Sequence, residues 1–216
     1  EFVAVLGATG CGKTSLVNLI PRFYDVTEGA VCVDGQDVRS QNTDVLRQKI
    51  GCVLQKSELF SGSVMDNIRW GKADATDEEV MQAAKIAQAD DFVSNLTEGY
   101  QTVIGEKGAS LSGGQKQRLS IARALVRKPE ILIFDDSTSA LDLGTEARLH
   151  EALRENLSGT TVIMIAQRIA SVRKADRILL LENGTIAAEG RHEELLKTSP
   201  LYRDIYASQQ HSTEVM

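Results

Sequence analysis

The sequence predicts an α/β fold: a mostly parallel sheet with helices between its strands and a helical segment inserted into it. Three observations carry that prediction. Short apolar runs at residues 2–6, 50–54, 131–134 and 161–165 alternate with stretches of helical periodicity. The first run passes directly into a glycine-rich loop and then a helix. Between residues 56 and 103 no strand pattern appears, whereas a capped amphipathic helix does.

Taken in order, Phe2 to Leu6 is short and apolar enough for a buried strand. Gly7-Ala8-Thr9-Gly10-Cys11-Gly12-Lys13-Thr14-Ser15 follows and matches G-x-x-x-x-G-K-S/T, a phosphate-binding loop in the strand–loop–helix context that it requires. A triphosphate concentrates negative charge. Three glycines let backbone N–H groups close round it, and the helix start adds the positive end of its dipole. Lys13 can reach the β- and γ-phosphates, Thr14 can ligand Mg²⁺, and Ser15 is a second, weaker hydroxyl. Leu16, Leu19 and Ile20 sit at helical spacing, and Pro21 stops the helix.

Val31 to Val33 and Gln36 to Val38 flank Asp34-Gly35, a hairpin signal. Thr43 to Lys49 reads as a short helix, and Ile50 to Leu54 as a second apolar strand ending at Gln55. Thr76-x-x-Glu79 is a capping box ahead of Val80, Ala83, Ala84 and Ala87, which lie on one helix face. Phe92, Val93 and Leu96 mark a further short helix. Leu111-Ser112-Gly113-Gly114-Gln115 opens a helix with Leu119, Ala122, Leu125 and Val126, ended by Pro129. Ile131 to Phe134 is a fully apolar strand closed by Asp135-Asp136. A helix over roughly 145–157 carries Leu149, Leu153 and Leu157 on one face. Thr161 to Ile165 is another strand, Asn183-Gly184 joins two more in a hairpin, and Glu193 to Lys197 is a short helix. The polar end, Ser208 to Met216, is expected to fray. The expected division is a core from residues 1–55 and 126–216 and a helical subdomain from 56–125.

The net charge of −6 and pI near 5.2 argue against a nucleic-acid surface. No apolar run approaches the ~18 residues of a membrane span, and no signal peptide is visible. Cys11, Cys32 and Cys52 have no metal-ligand spacing and read as reduced, cytosolic thiols, Cys11 filling a small position in the loop. Glu1 lies almost inside a core strand, so the domain is expected to begin earlier in a longer protein.

Ligands of such sheets bind where strands run out into loops. The phosphate loop, Gln55, Asp135 and Gln167 each follow an apolar strand, and are expected on one edge. Asp135 is placed to hold Mg²⁺ against the phosphates, and Asp136 to polarise an attacking water. Residues 111–115 read either as a glycine turn that caps a helix or as a second anion-binding nest serving a nucleotide held by another subunit.

With its phosphate loop, Gln55, Leu111 to Gln115, the run Ile131 to Asp136, and Ser139-Ala140-Leu141-Asp142, the chain resembles the nucleotide-binding domain of ATP-binding cassette (ABC) transporters over nearly its whole length. The resemblance implies a P-loop, RecA-like core, with ATP and Mg²⁺ as cofactors. It implies head-to-tail pairing in which each ATP sits between one domain's phosphate loop and the other's signature, here residues 111–115. It assigns Gln55 to Mg²⁺ and to coupling with a membrane domain, Ser112 and Gly114 to the γ-phosphate across the interface, and Asp142 to linking the two sites. Gly105-Glu106-Lys107-Gly108 and Arg22-Phe23-Tyr24-Asp25 resemble the exporter variety, in which Glu106 would touch coupling helices. The family stacks adenine on an aromatic residue well upstream of the phosphate loop, and no residue of this sequence is assigned that role.

Two positions depart from the family. Its catalytic Glu is Asp136 here, one methylene shorter, and its switch His is Gln167. A misplacement of ~1 Å can cost ~100-fold in rate. An amide can donate a hydrogen bond but carries no charge and relays no proton. The expected function is therefore the ATP-binding and ATP-hydrolysing subunit of an exporter, one half of a heterodimer, with a degenerate site of its own and an intact signature to lend. The expected location is the cytoplasmic face of the plasma membrane, through a transmembrane domain outside this segment. The expected partners are a second nucleotide-binding domain and that transmembrane domain, with no nucleic acid. The rival readings are a soluble non-transport ABC ATPase, a non-hydrolysing regulatory module, and an importer subunit.

Overall fold

A computed structural model of the chain describes residues 1–214, without the side chains of Lys107 and residues 211–214. The chain packs as two compact units, Glu1–Arg47 with Thr161–Met216, and Gln48–Thr160. The first opens with β1 (Phe2–Leu6), α1 (Lys13–Asn18), β2 (Cys32–Val33), β3 (Gln36–Asp37) and α2 (Thr43–Gln48). The second holds β4 (Ile50–Val53), β5 (Gly62–Ser63), α3 (Val64–Arg69), α4 (Asp77–Ile86), α5 (Asp90–Ser94), β6 (Val103–Ile104), α6 (Gly113–Leu125), β7 (Ile131–Asp135) and α7 (Leu143–Asn156). The chain returns to the first unit with β8 (Thr161–Ala166), α8 (Ile169–Val172), β9 (Arg177–Glu182), β10 (Thr185–Gly190), α9 (His192–Thr198) and α10 (Pro200–Glu214).

In the first unit β1 lies between β8 and β9, parallel to both, in register from Phe2↔Val162 to Leu6↔Ala166 and from Val3↔Arg177 to Leu6↔Leu180. Ala4, Val5 and Leu6 are buried, as a parallel strand covered on both faces requires. β10 returns antiparallel through Asn183 and Gly184, both left-handed, with a bulge near Ala187. In the second unit β4 and β7 pair in parallel from Ile50↔Ile131 to Val53↔Phe134, and α6 packs on β4. α3 and α4 pack in turn on α6, and β5 and β6 close a short antiparallel pair among the helices. The expected mostly parallel α/β architecture with a helical insertion is what forms.

The differences are local. α1 stops at Asn18, because Leu19 and Ile20 bond three residues back rather than four. Its buried apolar side chain is Val17, whereas Leu16 is exposed. β5 and α3 carry no strong apolar period, but Ser63 and Asp66 form a capping box, with aspartate doing the work of the usual glutamate. The expected fraying over residues 208–216 is corrected as far as Glu214: these residues continue α10, anchored by the fully buried Tyr202, and residues 215–216 lie outside the described residues. Pro200 at the helix start and Ser199 as its cap, accepting from the Tyr202 N–H at 3.2 Å, were its legible signals.

Parallel registers decide what the strand ends present. Gly7 and Gln167 follow paired residues of β1 and β8, so both leave the same edge of the first unit. Gln55 and Asp135-Asp136 likewise leave the same edge of the β4–β7 pair.

The second unit's packing leads to expected outcomes for three substitutions. A Cβ at Gly71 would collide with the Arg123 carbonyl and lie 2.8 Å from Val126 Cγ1, so Gly71→Ala should lower stability in urea denaturation by about 1–3 kcal/mol. Gly105→Ala, with nothing among the described residues within 4 Å of its Cβ position, should stay within about 0.5 kcal/mol. Glu79 is held down from 4.5 to about 2, first by Lys128, then by Lys72 and the Thr76 N–H. A carboxylate depressed in the fold stabilises above its unfolded value and loses that contribution as pH falls through its folded one. Glu79→Gln should therefore flatten the acid limb of stability between pH 4.5 and about 2, read from urea midpoints across a pH series.

Candidate nucleotide-binding site

The first unit supplies the phosphate loop. Gly7, Gly10 and Gly12 have φ of 158°, 84° and 101°, conformations that side chains resist. At Gly7 sterics add to this: a Cβ would collide with the Leu181 carbonyl oxygen and sit 2.7 Å from Cys11 Sγ. Lys13 is buried, and its Nζ donates to the Gly7 and Ala8 carbonyls at 2.7 and 2.8 Å, with Cys11 Sγ at 3.9 Å. The ammonium thus closes the loop on itself and holds its charge inside the ring. Ala8, Thr9 and Gly10 on the loop, and the hydroxyl residues Thr14 and Ser15, are exposed. Gln167 is exposed after β8, and its carbonyl accepts from Gln209 Nε2 at 2.7 Å.

The second unit supplies the carboxylates. Asp135 ends β7 and is buried. Asp136 takes a left-handed φ of 48°, and Gln55 Nε2 donates to its Oδ2 at 3.4 Å. Gln55 and Asp136 are thus brought together, as the shared edge of β4 and β7 predicts. Within the second unit, Asp135 and Gln55 offer carboxylate and amide oxygens, hard donors of the kind Mg²⁺ takes beside phosphates; in the first unit, the Thr14 hydroxyl is a donor of the same kind. No cluster of three or more metal-ligating acids, cysteines or histidines exists among the described residues. One buried carboxylate suits a cation that relies on phosphate oxygens for most of its shell.

The signature turn starts α6. Ser112 Oγ accepts from the Gln115 N–H at 3.2 Å, and Gln115 Oε1 accepts from the Ser112 N–H at 2.9 Å, a reciprocal capping box. Its two glycines differ. A Cβ at Gly114 would lie 3.1 Å from the Ala140 carbonyl oxygen, whereas among the described residues one at Gly113 would meet nothing within 4 Å. Leu111 is half-buried before the turn. Asp142 caps α7, accepting from the Thr145 N–H at 2.9 Å and hydroxyl at 2.7 Å, and these bonds hold its carboxyl below the usual range. Glu106 is exposed at the start of a 3₁₀ turn.

Sequence reasoning missed two residues. Gln117 is buried on α6, and its Oε1 accepts from Ser57 Oγ, tying the loop after Gln55 to the signature helix. A glutamine in phase with Ile121, Ala124 and Leu125, at i, i+4, i+7 and i+8, was the available signal. Gln209 on α10 gave none, because its partners are backbone groups.

Residues 1–139 match the family described as ABC transporter. An uncharacterised ABC transporter ATP-binding protein, YfiB of Bacillus subtilis (strain 168), is 51% identical over 209 residues, which are 97% of this chain and 36% of that protein. A protein of Staphylococcus aureus (strain NCTC 8325 / PS 47), provisionally named a multidrug export ATP-binding/permease protein, is 48% identical over the same shares. The solved structure of a bacterial Atm1-family ABC exporter with ATP bound matches with a TM-score of 0.94 and 42% identity, over 97% of this chain and 37% of that one. The chain thus spans little more than a third of the length of the relatives it matches. A family match over most of the chain, and relatives about half identical along 97% of it, lead to one conclusion: the chain belongs to the ABC transporter family, as an ATP-binding domain.

Proposed function

We propose that the chain binds and hydrolyses ATP as the engine of an exporter at the cytoplasmic face of the plasma membrane. It pairs head to tail with a second nucleotide-binding domain. Residues 7–15 take the phosphates of one ATP, and residues 111–115 complete the site of the ATP held by the partner. Thr14, Gln55 and Asp135 would hold Mg²⁺, which supplies charge neutralisation at the β- and γ-phosphates. Asp136 polarises the attacking water, Gln167 donates to the γ-phosphate, and Asp142 links the two sites.

The observation that carries this reading is Gly113. Among the described residues a side chain there would meet nothing within 4 Å, so no contact described within the fold requires the glycine. Its absent side chain instead suits a ligand or partner approaching the start of α6. A transmembrane partner is supported by a cavity of about 500 Å³ whose lining includes Leu54, Phe60, Trp70 and Arg123. Leu54, Phe60 and Trp70 are exposed, and Phe60 stacks on Trp70 at 4.4 Å. We place Glu106 at the same transmembrane partner.

We further propose that the site built on this chain's own phosphate loop is the slower one of a heterodimer, because Asp136 is short and Gln167 cannot relay a proton.

Lys13→Ala should weaken Mg-ATP binding by about tenfold to a hundredfold in calorimetry, from the loss of a charge-assisted contact. An unchanged dissociation constant would remove the phosphate-loop assignment. In the reconstituted full-length complex, Asp136→Asn should leave steady-state ATPase within about twofold, while Gly113→Asp should lower it by at least about tenfold. Gly113 is the cleaner probe of the signature, since any side chain at Gly114 presses on Ala140 of the same chain. A larger loss from Asp136→Asn would make Asp136 a working general base.

A further inference from the structure

The loop after β8 carries Gln167, Arg168 and the first residue of α8. It is gripped by one side chain from the C-terminal helix. Gln209 Nε2 donates to the Gln167 carbonyl at 2.7 Å, and its Oε1 accepts from the Ile169 N–H at 2.8 Å. One amide thus pairs with two backbone groups on either side of Arg168, using donor and acceptor together as a neighbouring strand would. A planar amide bonded at both ends resists rotation of the loop about either bond.

The other end of the grip is fixed. Tyr202, seven residues earlier and so on the same face of α10, is fully buried, and its hydroxyl bonds His192 Nδ1 at 2.7 Å. Tyr206 meets the same His192 ring edge-on at 5.4 Å. α10 is therefore docked on α9 through its first two turns, and helical periodicity carries Gln209 to the loop. α9 packs on β10, which pairs with β9, and β9 flanks β1. The helix, the strand that delivers the phosphate loop and the loop bearing Gln167 form one connected frame within the first unit.

We propose that Gln209 is a positioning residue for Gln167, and that the C-terminal helix sets through it how well this chain's nucleotide site tells ATP from ADP. The inference rests on the reading of Gln167 as a γ-phosphate donor. A side chain that touches only the γ-phosphate contributes to holding ATP and nothing to holding ADP. Loosening its backbone lowers the preference for ATP and leaves ADP affinity unchanged, whereas a general loss of fold lowers both.

The test uses the full-length exporter, photolabelled with 8-azido-ATP in competition with ATP or ADP, with labelling read on this chain alone. Gln209→Ala is expected to lower the ATP-over-ADP preference by about tenfold, by as much as Gln167→Ala, and the double variant by no more than either. Gln209→Glu keeps the acceptor for the Ile169 N–H, removes the donor to the Gln167 carbonyl, and is expected to give an intermediate preference. The inference is overturned if Gln209→Ala keeps the parent preference while Gln167→Ala loses it, if both nucleotides weaken in parallel, or if the two substitutions add. If Gln167→Ala itself leaves the preference unchanged, the assigned role of Gln167 falls, and the inference with it. That outcome is recognisable because the Gln167 variant alone decides it.

Discussion

The structure depends on the absence of a side chain at Gly7. The loop that follows β1 turns so tightly that the carbonyl of Leu181, the last-but-one residue of β9, occupies the space where a Cβ would project. That closeness lets the loop double back and lets Lys13 reach the carbonyls of Gly7 and Ala8. It also ties the loop's shape to the packing of β1 between β8 and β9, since β9 provides the opposing wall. A buried strand, a sterically forced turn and an internally bonded lysine are one arrangement, and the exposed loop backbone is its product.

The signature helix is constrained in a different way. The Ser112 and Gln115 side-chain oxygens are used within the turn itself, by the capping box. Gly114 rests against Ala140, in the segment that runs from Asp136 to the α7 cap at Asp142. Gln117 takes a bond from Ser57, two residues beyond Gln55. The start of α6 is thus braced by both loops that leave the β4–β7 edge, and Gln55 and Asp136 on those loops are bonded to each other. Within the second unit, the groups assigned to this chain's own nucleotide and those assigned to its partner's are mechanically joined.

What was legible in the sequence is what local chemistry decides. The glycine-rich turn between β1 and α1, the Asn183-Gly184 hairpin and the capping box at Thr76 follow from residue type at fixed spacing, and the backbone of each forms as read. Four of the five strands with a parallel neighbour, β1, β4, β7 and β8, followed from apolar run length. α3 was missed because its cap uses Asp66, and α10 because its polar residues masked a stripe anchored by Tyr202. The different duties of Gly113 and Gly114 were illegible in principle. Both are glycines in one turn, and the positions of the Ala140 carbonyl and the Leu141 side chain, far along the chain, separate them. Gln209 was hidden for the same reason: a side chain that bonds backbone leaves no pattern in its partners' residue types.

Asp136 shows two selective demands meeting at one backbone. Its φ of 48° lies where aspartate and asparagine are found more readily than longer acids, because a short polar side chain can satisfy itself locally. The same shortness draws its carboxylate back from whatever the longer acid would reach. Backbone conformation favours the residue that is present, and on the proposed reading of the site turnover favours the longer acid. Under that proposal, a lineage that draws its turnover from another site is free to settle this conflict on the side of stability.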